Sequence, residues 1–482
     1  MFKFMLPRSV ELKPLLASLI LVTGSSISIA QPQVLTLSNT VKMAQENDLW
    51  LLSNQQSQDS LSSFSVASGA LPDPKVSLGF ANLPTDTFDF NQEGMTQFKI
   101  GVSQMFPRGD SLNLKRKQLE LMANEYPYQR QERKARVVVS VAKLWLDAYK
   151  AQESIALIER DRSLFEQLVD VAESSYATTM GKTSQQDIVR AQLELTQLDD
   201  RLTVLNQQRD IALQRLDEWR NNYFIAQAST ADLMNLSEHE IGIGNNLSSE
   251  VLTLDRKLPD IKLLNAELYT SAKQTQPQKL YEYLVDHPSV MSVEQKIKAT
   301  NSGIALAKQK YKPEWAVNAS YGYRDASPMD EERADLFSVG ISFDVPLFTG
   351  NKQDKEVQSA VYKTEAMRTQ KWLLLRQLMA SFETTKAQLL RLDQRRKLYQ
   401  TQLLPQMHEQ AEASLTAYTN VTGDFSEVVR ARIAELNANI ALLDIEVERQ
   451  KLRAQLNYFF MKNSNQIIAG RFSERQVENH ND

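Results

Sequence analysis

Cysteine is absent from the 482-residue sequence and histidine is rare, and each shortage excludes a kind of site. Without cysteine the chain has no disulfide, no thiolate metal site and no thiol nucleophile. The histidines are scattered, and no HExxH, GxSxG or glycine-rich phosphate loop occurs. A formal net charge of −4 gives no sign of nucleic-acid binding. We therefore expect no enzyme, no cofactor and no metal site. The four histidines are His239, His287, His408 and His480.

Long apolar runs are scarce as well, and a short one stands at the N-terminus. PLLASLILV at residues 14–22 follows a basic start and precedes the small residues Ser28 and Ala30. This order is typical of a secretory signal peptide over residues 1–30. A single membrane anchor is the alternative, but the run has only about half the length of a bilayer-spanning helix. We expect an exported protein that is either soluble or a β-barrel.

The sequence does contain an internal duplication. FKIGVSQMFP at 98–107 and FSVGISFDVP at 337–346 share a pattern that ends in proline, and they lie 239 positions apart. DIVRA at 187–191 matches EVVRA at 427–431 at an offset of 240. A nearly constant offset indicates two structural repeats. The predicted division is a signal peptide (1–30), a first repeat (31–220), a connector (221–278), a second repeat (279–462) and a flexible tail (463–482).

Each repeat has the same predicted layout. A helical stretch (37–70 or 280–311) stops at a proline, and two alternating strands follow. Next comes a glycine-free stretch (111–180 or 351–422), then a short turn and a return helix with heptad-spaced leucine and isoleucine. A helix of about 70 residues is about 105 Å long, which is typical of coiled coils rather than globular cores. Pro405 is expected to kink or break the second one.

The predicted strands alternate apolar residues on one side with small or polar residues on the other. A soluble sandwich gives the same alternation, but the long helices favour a transmembrane β-barrel. Four strands cannot close a barrel, and an open edge in lipid leaves backbone groups unpaired, so several chains must share one. Two chains give eight strands, and three give twelve with room for an aqueous lumen. We expect Phe98, Ile100, Val339 and Ile341 to face lipid, and Lys99, Ser103, Ser338 and Ser342 to face the lumen.

Several segments carry a family resemblance, together with the duplication and the order of elements. They are LTLSNTVKMAQEND at 35–48, HPSVMSVEQKIKATNSGIALAKQKYKPEW at 287–315, and the DIVRA and EVVRA turns. In these respects the chain resembles the TolC-like outer-membrane efflux factors of Gram-negative bacteria. LPDPKVSLGFANLP at 71–84 is similar to the branch often paired with heavy-metal exporters.

The resemblance implies a homotrimer with a 12-stranded β-barrel in the outer membrane and a long α-helical coiled-coil tunnel in the periplasm. It implies the exit duct of a tripartite efflux pump, which docks on a periplasmic adaptor and an inner-membrane transporter of the RND type. Two alternatives stay open. The same duct can serve a type I protein secretion system. The chain can instead be a soluble periplasmic coiled-coil adaptor or scaffold, although an adaptor has one hairpin rather than two equal halves.

The turns between long and return helices are the predicted functional sites. The resemblance implies that acidic residues at the start of the return helix ring the periplasmic entrance. Glu427 falls on the first acidic position and Tyr418 precedes it, but Arg430 occupies the second. We expect a mixed ring latched by salt bridges, with Asp187 and Arg190 as a weaker pair, or else mere i,i+3 pairs at the helix starts. The predicted adaptor-docking tips are Met180, Gly181, Lys182 and Thr183, and Val421, Thr422, Gly423 and Asp424.

Overall fold

The computed structural model describes residues 34–177, 184–220, 224–225, 242–243, 253–269, 274–329, 331–420 and 422–461. The predicted signal peptide, most of the connector, the tip of the first turn and the tail lie outside these ranges. The helices are α1 (Leu37–Glu46), α2 (Leu49–Ser68), α3 (Ser111–Ala123), α4 (Tyr126–Ala177), α5 (Gln185–Arg220), α6 (Pro277–Leu284), α7 (Pro288–Gln309), α8 (Gln353–Leu398), α9 (Leu404–Thr419) and α10 (Phe425–Tyr458). The strands are β1 (Val34–Leu35), β2 (Lys75–Ala81), β3 (Gln97–Phe106), β4 (Phe224–Ile225), β5 (Gly242–Ile243), β6 (Thr253–Leu254), β7 (Trp315–Tyr323) and β8 (Leu336–Phe343).

The four long strands form one antiparallel sheet in the order β2-β3-β7-β8. The central pair joins the two repeats, with Phe98 opposite Tyr323 and Phe106 opposite Trp315. All four strands lie where the alternation predicts them. Within the described chain, β2 and β8 each pair on one side only, so the sheet has two open edges.

The helices continue the order of the strands. Helix α2 packs on α3, α3 on α7, and α7 on α8, so a layer of four helices extends from the sheet. Helix α4 packs along α5 and α10, and α10 also contacts α8 and α9. Three apolar clusters lie between these helices, and the one around Trp145 includes residues of both repeats. The indole of Trp145 is 1% exposed and donates a 2.9 Å hydrogen bond to the carbonyl of Leu35.

The expectation of one uninterrupted first long helix is wrong. The glycine-free stretch divides into α3, which ends at Ala123, and α4, which begins at Tyr126. Pro127 explains the break, because its ring clashes with the carbonyl four residues earlier and it has no N–H to donate. The break places Glu125 in a buried position, where its carboxylate accepts from Ser292 Oγ at 3.1 Å and pairs with Lys296 at 2.9 Å.

The predicted interruption at Pro405 is confirmed. Helix α8 runs into a π-helical turn, Tyr399–Leu403, and α9 follows with Pro405 near its start. The widened turn accommodates a residue that cannot donate to the carbonyl four positions back. The second long helix therefore continues past Pro405 through a widened turn.

The opening helical stretch of each repeat is also split, at equivalent positions. Asp48 caps α2 by accepting from Trp50 N at 3.1 Å, and His287 caps α7 by accepting from Ser289 N through Nδ1 at 3.3 Å. The two caps are 239 positions apart, which is the offset of the duplication. Each cap ends one short helix and starts the helix that leads to the sheet.

None of the described helices has the apolar stretch that crossing a lipid bilayer requires.

Candidate functional site

The sheet has two faces of different chemistry, and the alternation is in phase across all four strands. Ile100 lies opposite Leu78 and Tyr321, whereas Lys99 lies opposite Gly79 and Gly322. The register therefore divides the eight predicted residues as expected. Phe98, Ile100, Val339 and Ile341 share one face, and Lys99, Ser103, Ser338 and Ser342 share the other.

The apolar face is uncovered within the described chain. Phe337, Val339 and Ile341 are 71%, 64% and 65% exposed, and the apolar residues of β2 are equally open. Aromatic side chains lie at both ends of this face. Phe80 and Phe98 pack with ring centroids 5.4 Å apart at the loop end, and Trp315 and Phe343 pack at 4.7 Å at the helix end. A folded chain does not leave such a face to water without a further partner.

The turn between α9 and α10 is held by backbone hydrogen bonds. The amides of Thr422 and Gly423 both donate to the carbonyl of Ala417, at 3.0 and 2.9 Å. A Cβ at Gly423 would lie 2.9 Å from backbone atoms of Ala417 and Tyr418, so only glycine fits there. Asp424 then caps α10 by accepting from Ser426 N at 2.9 Å. The remaining predicted tip residue of this turn, Val421, lies outside the described residues.

Glu427 and Arg430 lie on the exposed side of the first turns of α10. The buried side of the same turns consists of Phe425, Val428 and Val429, which pack the helix against its neighbours. No ion pair joins Glu427 to Arg430, so the i,i+3 pair at this helix start is not formed. Tyr418 packs edge-on against Phe425 at 5.5 Å and thereby joins the end of α9 to the start of α10.

The equivalent residues of the first repeat have different surroundings. The carboxylate of Asp187 accepts from Ser184 N at 2.9 Å and from Ser184 Oγ at 2.8 Å, so Asp187 closes the first turn of α5. No ion pair joins it to the exposed Arg190. The other predicted tip residues, Met180, Gly181, Lys182 and Thr183, lie outside the described part of the chain.

A cluster of four ionisable residues lies near the second turn, and the sequence did not predict it. Arg432 of α10 donates to Glu412 of α9 at 2.6 Å and to Glu435 at 2.9 Å, and Glu435 accepts from His408 at 2.7 Å. The hydrogen bond and positive charge of Arg432 hold the pKa of Glu412 below its usual range. The cluster links α9 to α10, whereas sequence spacing shows only pairs within one helix.

No group of three or more potential metal ligands occurs in the described part of the chain. His287 is buried, and its contacts stabilise the fold rather than form a binding site. Its Nε2 faces the carbonyl of Tyr458 at 3.3 Å and its ring contacts the ring of Tyr458. Burial lowers the pKa of His287 to about 4, against the opposing effects of this carbonyl and of Glu132. His287 is therefore a neutral helix cap.

Comparisons with known proteins agree with this architecture. Residues 280–458 match the family model described as outer membrane efflux protein. A search of curated protein sequences finds no match.

Solved structures share the fold over most of the chain at low sequence identity. CusC, solved in work on its folding and transmembrane channel formation, is 13% identical, with a TM-score of 0.65 over 88% of this chain and 91% of CusC. A membrane protein from Pseudomonas aeruginosa is 14% identical, with a TM-score of 0.67 over 88% of this chain and 93% of its own. The outer membrane protein VceC of Vibrio cholerae is 12% identical, with a TM-score of 0.63 over 91% of this chain and 97% of VceC.

Proposed function

We propose that the chain is a member of the outer membrane efflux protein family, whose model matches residues 280–458, and that it is the passive exit duct of a tripartite efflux pump in the outer membrane. In this proposal three copies share one 12-stranded barrel. Substrates enter from a periplasmic adaptor and an inner-membrane transporter of the RND type, which supplies the energy. A duct of this kind needs no catalytic residue of its own.

The observation that carries the proposal is a two-faced sheet with two open edges. In a bilayer, the outward N–H and C=O groups of the edge strands β2 and β8 have no hydrogen-bond partners unless other chains continue the sheet. Joining β8 of one copy to β2 of the next repeats the strand order three times and closes the ring. The nine residues of β7 span about 27 Å, which suits the apolar band of a transmembrane barrel.

The helices at the edges of the layer support the same assembly. Phe64 and Val66 of α2 are 57% and 61% exposed, and Tyr362 and Trp372 of α8 are 65% and 59% exposed. Helices α2 and α8 lead into or out of the two edge strands, so they would meet between copies where those strands meet. Burial of these side chains would contribute to the association of the copies.

The α9–α10 turn is the proposed periplasmic end. It lies at the far end of the long helices from the sheet, as do the end of α4 and the start of α5. Glu427 and Arg430 are exposed and have no ion pair with each other, so they are available to pair across copies and latch the entrance. Asp187 already caps α5, which leaves Arg190 as the freer residue of the first repeat. The residues of both turns, 180–183 and 421–424, are the proposed adaptor-docking tips.

Single cysteines test the barrel directly, because the chain has none of its own. Lys99→Cys and Ser338→Cys should react with a water-soluble maleimide in intact outer membranes, since they would line the lumen. Ile100→Cys and Val339→Cys, their sequence neighbours, should react only after detergent extraction. Equal labelling of both sets in membranes would contradict the proposal.

A further inference from the structure

Three junctions between strands and helices lie side by side and enclose a cavity. Strand β3 leads into α3, α7 leads into β7, and β8 leads into α8, and these helices pack on one another. The cavity has a volume of about 500 Å³. Its walls combine basic side chains, two carboxylates and the apolar side chains of Pro107 and Leu306.

Arg108 joins the three junctions, and its guanidinium is already paired with groups of the chain. Its guanidinium donates to the carbonyls of Lys310 and Lys312, both at 3.1 Å, and forms an ion pair with Asp344 at the end of β8. Gly109 follows with a φ of +48°, a conformation that favours glycine and directs the chain into α3. Arg108 therefore has a structural role. A ligand in the cavity would pair with charged residues of the wall other than Arg108.

One side of the cavity suits an anion. Ser111 and Gln353, the first residues of α3 and α8, both line it, and neither helix has a side-chain cap at its N-terminus. Helix N-termini attract anions through the helix dipole, which is positive there, although Ser111 N and Asp354 N already donate to the carbonyls of Arg108 and Thr349, both at 3.0 Å. Lys115 and Lys352 line the same cavity, and neither forms an ion pair with another described residue.

Two hydrogen-bond acceptors of the cavity wall lack donors. Gln353 is only 8% exposed, and its buried Oε1 has no hydrogen-bond partner among the described residues. Oε2 of Glu356 likewise has no hydrogen-bond partner among the described residues, whereas its Oε1 pairs with Lys310 at 3.0 Å. Buried acceptors without donors are costly, so this wall calls for a ligand that donates. A simple anion would satisfy only half of the cavity.

Apolar side chains are exposed where the sheet meets the helices, near these junctions in the sequence. Leu347 and Phe348 follow β8 and are 74% and 91% exposed, and the packed pair of Trp315 and Phe343 lies at the same end of the strands. If the sheet spans the outer membrane with both helical turns in the periplasm, these apolar side chains and the junctions beside them lie at the inner leaflet. Lipid chains would cover exposed apolar side chains at that depth.

We propose that the cavity binds the headgroup of an inner-leaflet phospholipid. Its phosphodiester lies between Lys115, Lys352 and the N-termini of α3 and α8, and an ammonium or hydroxyl group donates to Gln353 and Glu356. Phosphatidylethanolamine and phosphatidylglycerol both have this chemistry. Phosphatidylcholine has the phosphate but no donor, and inorganic phosphate has no acyl chains. The inference rests on the proposed placement of the sheet in the membrane.

Native mass spectrometry of the purified full chain in detergent tests this inference with four probes. These are phosphatidylethanolamine, phosphatidylglycerol, phosphatidylcholine and inorganic phosphate. The first two should bind about tenfold more tightly than phosphatidylcholine, since they retain a charged or neutral hydrogen bond to the wall. Gln353→Leu should reduce that preference. The mass of the assembly in the same spectra reports the trimer independently of lipid binding.

A matched pair of variants isolates the cavity charges. Lys115→Ala with Lys352→Ala should weaken binding of both preferred lipids by about tenfold or more, because two charged contacts are lost. Lys117→Ala with Lys363→Ala removes the same charge from the same helices outside the cavity, and it should bind lipid like the wild type. Equal binding by the two double variants would overturn the proposal. Inorganic phosphate that displaces the lipids at equal concentration would overturn its lipid part.

Discussion

The two repeats share an order of elements but interrupt their long helices at different places. The first is broken at Pro127, near the sheet, and the second has a π-helical turn before Pro405, nearer the α9–α10 turn. At the offset of the duplication, the counterparts of these prolines fall within α8 and α4, which stay helical. The shared layout therefore determines which elements form, whereas single prolines determine where the long helices are interrupted.

The two return helices differ in how many neighbours they have. Helix α10 packs on α4, α8 and α9, and none of its large apolar side chains is exposed. Helix α5 packs mainly on α4 and leaves an apolar stripe open. This stripe consists of Val189, Leu193, Val204 and Ile211. Spacings of four, eleven and seven residues place the stripe on one side of the helix, as in a coiled coil that lacks its partner.

The sharpest test of this difference places one charge on each return helix. Val428→Asp on α10 should destabilise the fold by about 3 kcal/mol or more, because Val428 is fully buried and the charge would have no partner. Val189→Asp on α5 should leave the single chain folded and weaken its assembly. Thermal unfolding and the mass of the detergent complex separate the two effects. Similar unfolding in both variants would remove the distinction between the helices.

The helix cap at His287 predicts a loss of stability in acid. His287 has a pKa of about 4 when folded and about 6.5 when unfolded, so its contribution to stability is present above pH 6.5 and is lost as the pH falls toward 4. The loss should reach about 3 kcal/mol in the free energy of unfolding. His287→Asn keeps a capping side chain and should remove most of this slope in denaturant titrations between pH 7 and pH 4. An unchanged slope would show that other groups cause the acid sensitivity.

Replacing the proline of the second repeat should make its long helix resemble the first at the same position. Pro405→Ala restores a backbone donor, so the π-helical turn Tyr399–Leu403 should tighten toward α-helix. We expect a stabilisation of about 1 kcal/mol and slower amide exchange across the turn. Pro127→Ala should slow exchange between α3 and α4 in the same way. Unaltered exchange in Pro405→Ala would show that packing, not the proline, sets the bend.

The smallest energetic effect is expected at the turns, where the two repeats again differ. Reversal of charge at Glu427 or Arg430 should change stability by less than about 1 kcal/mol but raise single-channel conductance, and swapping both charges should partly restore closure. Asp187→Ala should instead cost about 1 kcal/mol through the lost cap of α5 and leave conductance near the wild type. Wild-type conductance in both single reversals would rule out the latch.

Much of this fold follows from the sequence. The alternation predicts the four strands, and the register of the sheet confirms the division of their faces, as with Lys99 against Ile100. Pro127 accounts for the break between α3 and α4, whereas the absence of glycine from residues 111–180 favoured one continuous helix. The capping role of Asp187 follows from Ser184 three residues earlier, a common signature of helix starts.

Contacts between distant segments could not be predicted in the same way. The cluster around Arg432 requires α9 and α10 to lie at one particular rotation, which depends on how their apolar sides pack. The cavity above α3 and α8 forms only because three junctions meet, two of them from the second repeat and one from the first. Sequence spacing describes one element at a time, so such meetings appear only in the structure.

The central claim is that three chains complete one barrel, and the mass of the extracted complex tests it most directly. The mature chain should leave isolated outer membranes in mild detergent as a particle whose protein mass is three times that of one chain, measured by light scattering with correction for bound detergent. A stable monomer recovered from the periplasmic fraction without detergent would contradict the account, since its open sheet edges would then need no partner.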